Sequence, residues 1–175
     1  MKNITISVYL TNLGKYNEGE LVGQWVELDG TLEYSDLKEG GKCDIGLNSD
    51  YEEYFITDFE SPVEINEYTS IDRLNEIYKT LTEIQEETNL EECEIEAILK
   101  EISLEELHEG IHDLFIYPDC NDMSDVAYNY IEQTGLLHGV PDSLQRYFDY
   151  DAFGRDMGYE GHYIFTDNNT CIQII

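Results

Sequence analysis

Two histidines four residues apart, with a glutamate after the first, occur at His108-Glu109-Gly110-Ile111-His112. On one helix this spacing presents both imidazoles to zinc, with the glutamate as general base for hydrolysis. Glu132 stands where a third ligand could come from. The surroundings support the pattern poorly. Gly110 weakens any helix that contains it, and neither a further His-containing continuation nor a Met-turn follows. Glutamate is also abundant enough here for the match to arise by chance. An exposed helical surface is the simpler reading, with a zinc hydrolase as a rival. Asp149, Asp151, Gly154 and Glu160 fit positions 1, 3, 6 and 12 of a calcium loop, but Phe153 removes the ligand at position 5 and the flanks read as helix. Gly14, Gly19 and Gly23 lack the order of a phosphate cradle, and their acidic neighbours would repel phosphate. Cys43, Cys93, Cys120 and Cys171 form no CxxC pair and read as reduced thiols. No catalytic residue, metal or cofactor is expected.

What the chain has in excess is negative charge. Its 39 Asp and Glu against 9 Lys and Arg leave a formal net of −30 over 175 residues. Disordered acidic segments pair such charge with few large apolar groups, yet here 41% of residues are hydrophobic and 14 are Tyr. Two like charges ~7 Å apart in water repel by about 0.6 kcal/mol, and dozens of such pairs accumulate. A chain able to build a core gains nothing for folding from that repulsion, so the field points to a partner built for a polyanion. Basic residues are absent from Cys43 to Asp72, from Thr80 to Leu99 and from Glu101 to Gln145, so the charge is spread along the chain rather than gathered in a tail. Duplex DNA carries about one charge per 1.7 Å of axis, and a body roughly 50–70 Å long would need about 30 to 40 charges to match it. Halophilic adaptation would also explain scarce lysine, but the rich complement of Ile, Leu, Tyr and Phe argues against it. Nucleic-acid binding is disfavoured without basic neighbours for the aromatics. Tyr9, Trp25, Tyr54, Phe55, Tyr147 and Phe148 read as core. No apolar run is long enough to span a membrane and no secretory leader is visible, so a soluble cytoplasmic protein is expected.

The elements that must carry this charge follow from periodicity. Alternation over Ile4–Thr11 and Leu21–Leu28, and the run Tyr54–Phe59, predict strands. A turn-rich stretch lies between the first two, and a short helix is expected over Leu32–Lys38. Ile71, Leu74, Ile77, Leu81 and Ile84 form a helical stripe led by Thr69 and Asp72 as a capping box. A second stripe follows at Ile95, Ile98, Leu99 and Ile102, and Ser103 with Glu106 opens a third helix through about His112. Ser124 caps a helix to Thr134 with Gly135 at C′, and one helix is expected from Pro141 to Gly158, carrying Leu144, Tyr147, Phe148 and Met157. His162–Thr166 and Cys171–Ile175 flank the hairpin turn Asp167–Thr170. The fold class is therefore α+β. The expected division is an N-terminal antiparallel sheet with a short helix over 1–67, an acidic helical unit over 68–110, and mixed helices with a β-hairpin over 111–175.

Several strings resemble one family, the antirestriction proteins called ArdA. They are Val8-Tyr-Leu-Thr-Asn-Leu-Gly-Lys-Tyr-Asn-Glu-Gly-Glu-Leu-Val-Gly-Gln-Trp25, Ile45 to Glu60, Tyr68-Thr-Ser70, Asp122-Met-Ser-Asp-Val-Ala-Tyr-Asn-Tyr-Ile-Glu-Gln-Thr-Gly135 and Leu144 to Met157. The likeness departs over Asp29–Asp44, where Asp-Gly-Thr-Leu and Gly-Gly-Lys-Cys replace a Pro-led short helix, and again from about Glu86 to His112. It implies an elongated row of three small domains that pairs as a homodimer through its C-terminal part. It also implies a non-catalytic DNA mimic that occupies the groove of type I restriction–modification enzymes, including the methyltransferase core with its specificity subunit. The acidic positions carried over by matching strings are Glu18, Glu20, Asp50, Glu52, Glu53, Asp58, Glu60, Asp122, Asp125, Glu132, Asp149 and Asp156. Glu83, Glu86, Glu87, Glu91 and Glu92 meet the family's helical charge by composition. An acidic decoy for other basic DNA-binding proteins of the nucleoid is the alternative within the same class.

Overall fold

The computed structural model describes residues 4–175, an α+β chain that divides into two compact units, Met1–Glu92 and Cys93–Ile175. In the first, β1 (Ser7–Asn12), β2 (Gly23–Glu27) and β3 (Tyr54–Glu60) form an antiparallel sheet in the order β2-β1-β3. The expected alternation holds. Ile6, Val8, Leu10, Val26 and Ile56 are buried, and a bulge between Tyr9 and Leu10 in the β3 pairing leaves Thr57 without an opposite residue. The stretch between β1 and β2 is not all turn. It holds α1 (Leu13–Asn17), started by Asn12, whose side-chain oxygen accepts the Lys15 N–H at 3.0 Å. The helix expected over Leu32–Lys38 is one 3-10 turn, Tyr34–Leu37, where the Asp36 carboxylate accepts the Glu33 N–H at 3.0 Å.

The long helix α2 (Ile71–Thr88) buries every member of its stripe: Ile71, Leu74, Ile77, Leu81 and Ile84. Its cap is Ser70 rather than Thr69, because the Ser70 hydroxyl accepts the Arg73 N–H at 3.3 Å. Hydrogen bonds tie α2 to the rest of the unit. The Asn75 side chain bonds both backbone groups of Leu32, and the Tyr54 hydroxyl accepts the Ile71 N–H. The buried Gln85 amide accepts the Ile4 N–H at 3.0 Å and donates to the Leu90 carbonyl at 3.3 Å.

The second unit contains α3 (Glu92–Leu99) from its second residue onward, α4 (Leu104–Glu109), β4 (Leu114–Tyr117), α5 (Met123–Thr134), α6 (Asp142–Gln145), α7 (Tyr150–Glu160), β5 (His162–Phe165) and β6 (Cys171–Ile174). The sheet order is β4-β6-β5, antiparallel throughout. The Ser103–Glu106 capping box forms with both bonds, and Gly135 ends α5 at φ 65°. The single helix expected from Pro141 to Gly158 is two. Asp149 accepts the Ala152 N–H at 2.9 Å and starts α7 afresh, which then runs on to Glu160. Helices α5 and α7 pack closely at Gly154, where an added Cβ would lie 2.1 Å from the Met123 carbonyl oxygen.

Tyr117, Cys120, Val126 and Cys171 form a buried core beneath Met123, Met157 and Tyr163. Burial pushes the Tyr117 phenol and the Cys171 thiol both up to about 12. Unfolded, they titrate near 10.0 and 9.0, so from about pH 9 to 12 the folded chain keeps protons that the unfolded chain has lost. Stability should hold up to about pH 9 and then fall toward 12, as thermal melting will register. In the native state a thiol reagent should modify half-buried Cys43 and Cys93 first, reaching buried Cys120 and Cys171 only in denaturant.

Candidate functional site

All but four of the 39 carboxylates belong to exposed residues: Glu94 is buried, and Asp36, Glu92 and Asp125 are half-buried. All the other positions singled out from the sequence lie on the surface: Glu18, Glu20, Asp50, Glu52, Glu53, Asp58, Glu60, Glu83, Glu86, Glu87, Glu91, Asp122, Glu132, Asp149 and Asp156. The fold then sorts these acids by whether they also do a structural job.

The best-defined group sits on the first unit. Glu18 and Glu20 close the turn after α1, and Asp50, Glu52 and Glu53 stand in the loop before β3. Tyr51 joins the two stretches by donating its hydroxyl to Glu18 Oε1 and Oε2 at 3.0 and 2.9 Å. Lys15 Nζ lies 3.5 Å from Glu18, 3.4 Å from Glu20 and 4.5 Å from the centre of the Tyr51 ring. This geometry requires Gly14, since a Cβ there would lie 2.4 Å from Tyr51 Cδ1. One lysine thus serves two acids, while the Asp50, Glu52 and Glu53 side chains make no hydrogen bond or ion pair among the described residues. The Leu13 N–H bonds the Glu53 carbonyl at 3.0 Å, fixing the loop against α1.

Beside it lies the outer face of the first sheet. Register sets Glu27, Ser7 and Glu60 in one row and Trp25, Tyr9 and Asp58 in the next. Tyr9 and Trp25 meet edge to face at 5.6 Å, and Trp25 is 46% exposed. The sequence reading of Trp25 and Tyr147 as core residues is therefore wrong, because Tyr147 is 79% exposed. Phe55 is buried as expected, under Tyr16.

On the second unit the acids hold helix ends. The Asp122 carboxylate accepts the N–H groups of Ser124 and Asp125 and caps α5, displacing Ser124 from the role expected of it. Asp125 accepts the Asn121 N–H at 2.8 Å, and Asp149 caps α7. Replacing Asp122 or Asp149 by Ala should cost about 1 kcal/mol in chemical denaturation, whereas Asn keeps the cap and removes only the charge. Elsewhere Asp29, Asp44 and Glu106 are held below the usual carboxylate range. The causes, in order, are bonds from Thr31, from the Gly40 N–H and from the Ser103 N–H, so these groups stay anionic in mild acid.

The zinc pattern is not built. Helix α4 ends at Glu109 with Gly110 as its cap, and His112 lies in a separate 3-10 turn, so the two imidazoles do not share a helix face. Among the described residues no group of three His, Cys, Asp or Glu is placed to hold a metal ion. The calcium-like string is a capped helix from Tyr150 onward, and Gly154 serves the contact with α5. No helix among the described residues is long and apolar enough to cross a membrane.

Two small α+β bodies with almost every carboxylate turned outward describe a protein that offers negative charge at its surface. The family model described as Antirestriction protein (ArdA) matches residues 8–171 of the 175, and the chain belongs to that family. It is an antirestriction protein, of a family of non-catalytic inhibitors directed at restriction–modification enzymes. A search of curated proteins finds no match to the chain.

Proposed function

We propose that this protein is a DNA mimic that occupies the DNA-binding groove of a type I restriction–modification enzyme and blocks both restriction and modification. It works in the cytoplasm as a homodimer, on the methyltransferase core with its specificity subunit. The observation that carries the reading is the exposure of 35 of the 39 carboxylates on a folded chain of net charge −30. Carboxylates meet the Lys and Arg that hold DNA phosphate, without presenting base edges to be read. The three acids Asp50, Glu52 and Glu53 suit this use well, because their own fold does not engage their side chains.

Pairing so many charges releases counterions, so inhibition should be strong at about 50 mM salt and fade as salt rises. The free protein should behave oppositely, gaining stability as screening relieves its self-repulsion. The deciding experiment is a gel competition between this protein and labelled DNA for a type I methyltransferase core, run beside a histone-like protein. Displacement of DNA from the methyltransferase alone supports the proposal. An unchanged enzyme–DNA band at excess inhibitor overturns it, and equal displacement from both favours a general acidic decoy.

A further inference from the structure

Between α7 and the second sheet lies an open pocket of about 470 Å³ that brings aromatic rings and carboxylates together. Three aromatic rings face it, Tyr130 from α5, Phe153 from α7 and Tyr163 from β5, together with two carboxylates, Asp156 and Glu160. Tyr130 and Phe153 lie 6.3 Å apart with their planes 31° from parallel. Phe148 packs edge to face on Phe153 at 5.6 Å and braces it from behind. Gly161 belongs to the same wall. A Cβ there would fall 2.7 Å from Tyr163 Cε2, so the absent side chain is what lets the Tyr163 ring lie where it does. The far side is fixed by Gln173, whose amide oxygen accepts the Tyr117 hydroxyl at 3.1 Å.

Rings with negative faces beside two carboxylates suit a flat organic cation better than a metal ion, which would need more oxygen ligands, and better than an anion. Guanidinium fits on both counts, because it is planar, stacks on rings and donates in a fork to a carboxylate. The chain already makes a weak version of that contact at the rim, where Arg155 Nε and Nη2 lie 3.3 and 3.2 Å from Asp156 Oδ1. That pair is exposed on both sides and easily exchanged. Glu160 makes no hydrogen bond or ion pair among the described residues. We propose that the Tyr130–Phe153–Tyr163 cavity, with Asp156 and Glu160, is a receptor for a single arginine side chain of the protein's target. The identity of the partner rests on the function proposed above, whereas capture of the guanidinium does not.

The test is a titration of the full-length protein with N-acetyl-arginine amide, followed by NMR at constant ionic strength, with N-acetyl-lysine amide as comparison. Saturable shifts at Tyr130, Gly161 and Tyr163, with arginine binding at least fivefold tighter than lysine, are expected. Glu160→Gln, an exposed change that leaves the fold alone, should weaken arginine at least threefold. Gly161→Ala displaces the Tyr163 ring from its place in the wall without altering charge and should abolish the saturable shifts. Shifts that are linear, spread over the whole acidic surface and equal for both amides would overturn the proposal, as would unchanged binding in both variants. The two readings also fail separately. A wild-type protein that displaces DNA from its target but shows no saturable shift sinks the cavity alone, whereas one that binds arginine amide but never displaces DNA sinks the proposed function alone.

Discussion

Gly154→Ala should destabilise the second unit by about 2–3 kcal/mol, near the upper end for overpacking. Alanine would normally gain up to about 1 kcal/mol over glycine inside a helix, so steric cost has to exceed that gain. It does so because the new Cβ would stand 2.1 Å from the Met123 oxygen and 2.6 Å from its carbonyl carbon. Both are backbone atoms at the start of α5, which cannot swing aside as a side-chain tip can. Four residues on, Gly158→Ala provides the control. Its Cβ would meet only the Met123 side chain, at 3.5 Å or more, which is ordinary contact. That substitution should be neutral or stabilising by up to about 1 kcal/mol. Urea denaturation of the two variants side by side reads both signs. Equal effects at the two positions would show that the α5–α7 approach is looser than described.

The triple variant Asp50→Asn, Glu52→Gln, Glu53→Gln should weaken competition with DNA by roughly 10- to 100-fold at low salt. It should also flatten the salt dependence by up to about 0.9 in log–log slope for each lost contact. None of the three side chains holds a turn, a cap or an ion pair among the described residues, so the fold has no reason to respond. Melting temperature should stay the same or rise slightly, because three neighbouring like charges are gone. Loss of inhibition together with a raised or equal melting point separates an interface effect from a folding one. Single replacements in the same loop should do little, since each contact is one of many. If the triple variant inhibits as well as the parent, this loop does not meet the target.

Much of the fold is legible in the residues because the signals are local. The five-residue stripe of α2 repeats at three and four, and all five members are buried. The Ser103–Glu106 box and the Gly135 stop are written in three or four letters and form as written. What could not be read lacks a period or depends on distant residues. Leu114-Phe115-Ile116-Tyr117 is apolar throughout, so β4 has no alternation to show. Helix α1 hides behind Gly14 and Asn17, which look like turn residues. The usable signal was Asn12 three places before Lys15, whereas the reason for Gly14 is a tyrosine ring 37 residues away. Aromatic residue type could not tell a packed ring from the exposed Trp25 and Tyr147. Likeness of strings singles out Glu18 and the acids of the 50–53 loop one by one, but their grouping needs the Tyr51 hydrogen bonds, which no local pattern announces. The double duty of Asp122 and Asp149 as helix caps escapes the sequence reading at both positions, because Ser124 offers a rival cap two places after Asp122 and the pattern from Pro141 to Gly158 runs through Asp149 as one helix.

The Gln85 amide has a topological consequence. By gripping Ile4 on one side and Leu90 on the other, it brings the first described residue of the unit beside one near its far end, like a ring with a clasp. A body closed in this way can be reopened elsewhere without stretching its sheet. A version whose ends near Ile4 and Leu90 are spliced together, with fresh termini cut at the solvent-facing Asn48–Ser49 turn, ought to fold to the same arrangement.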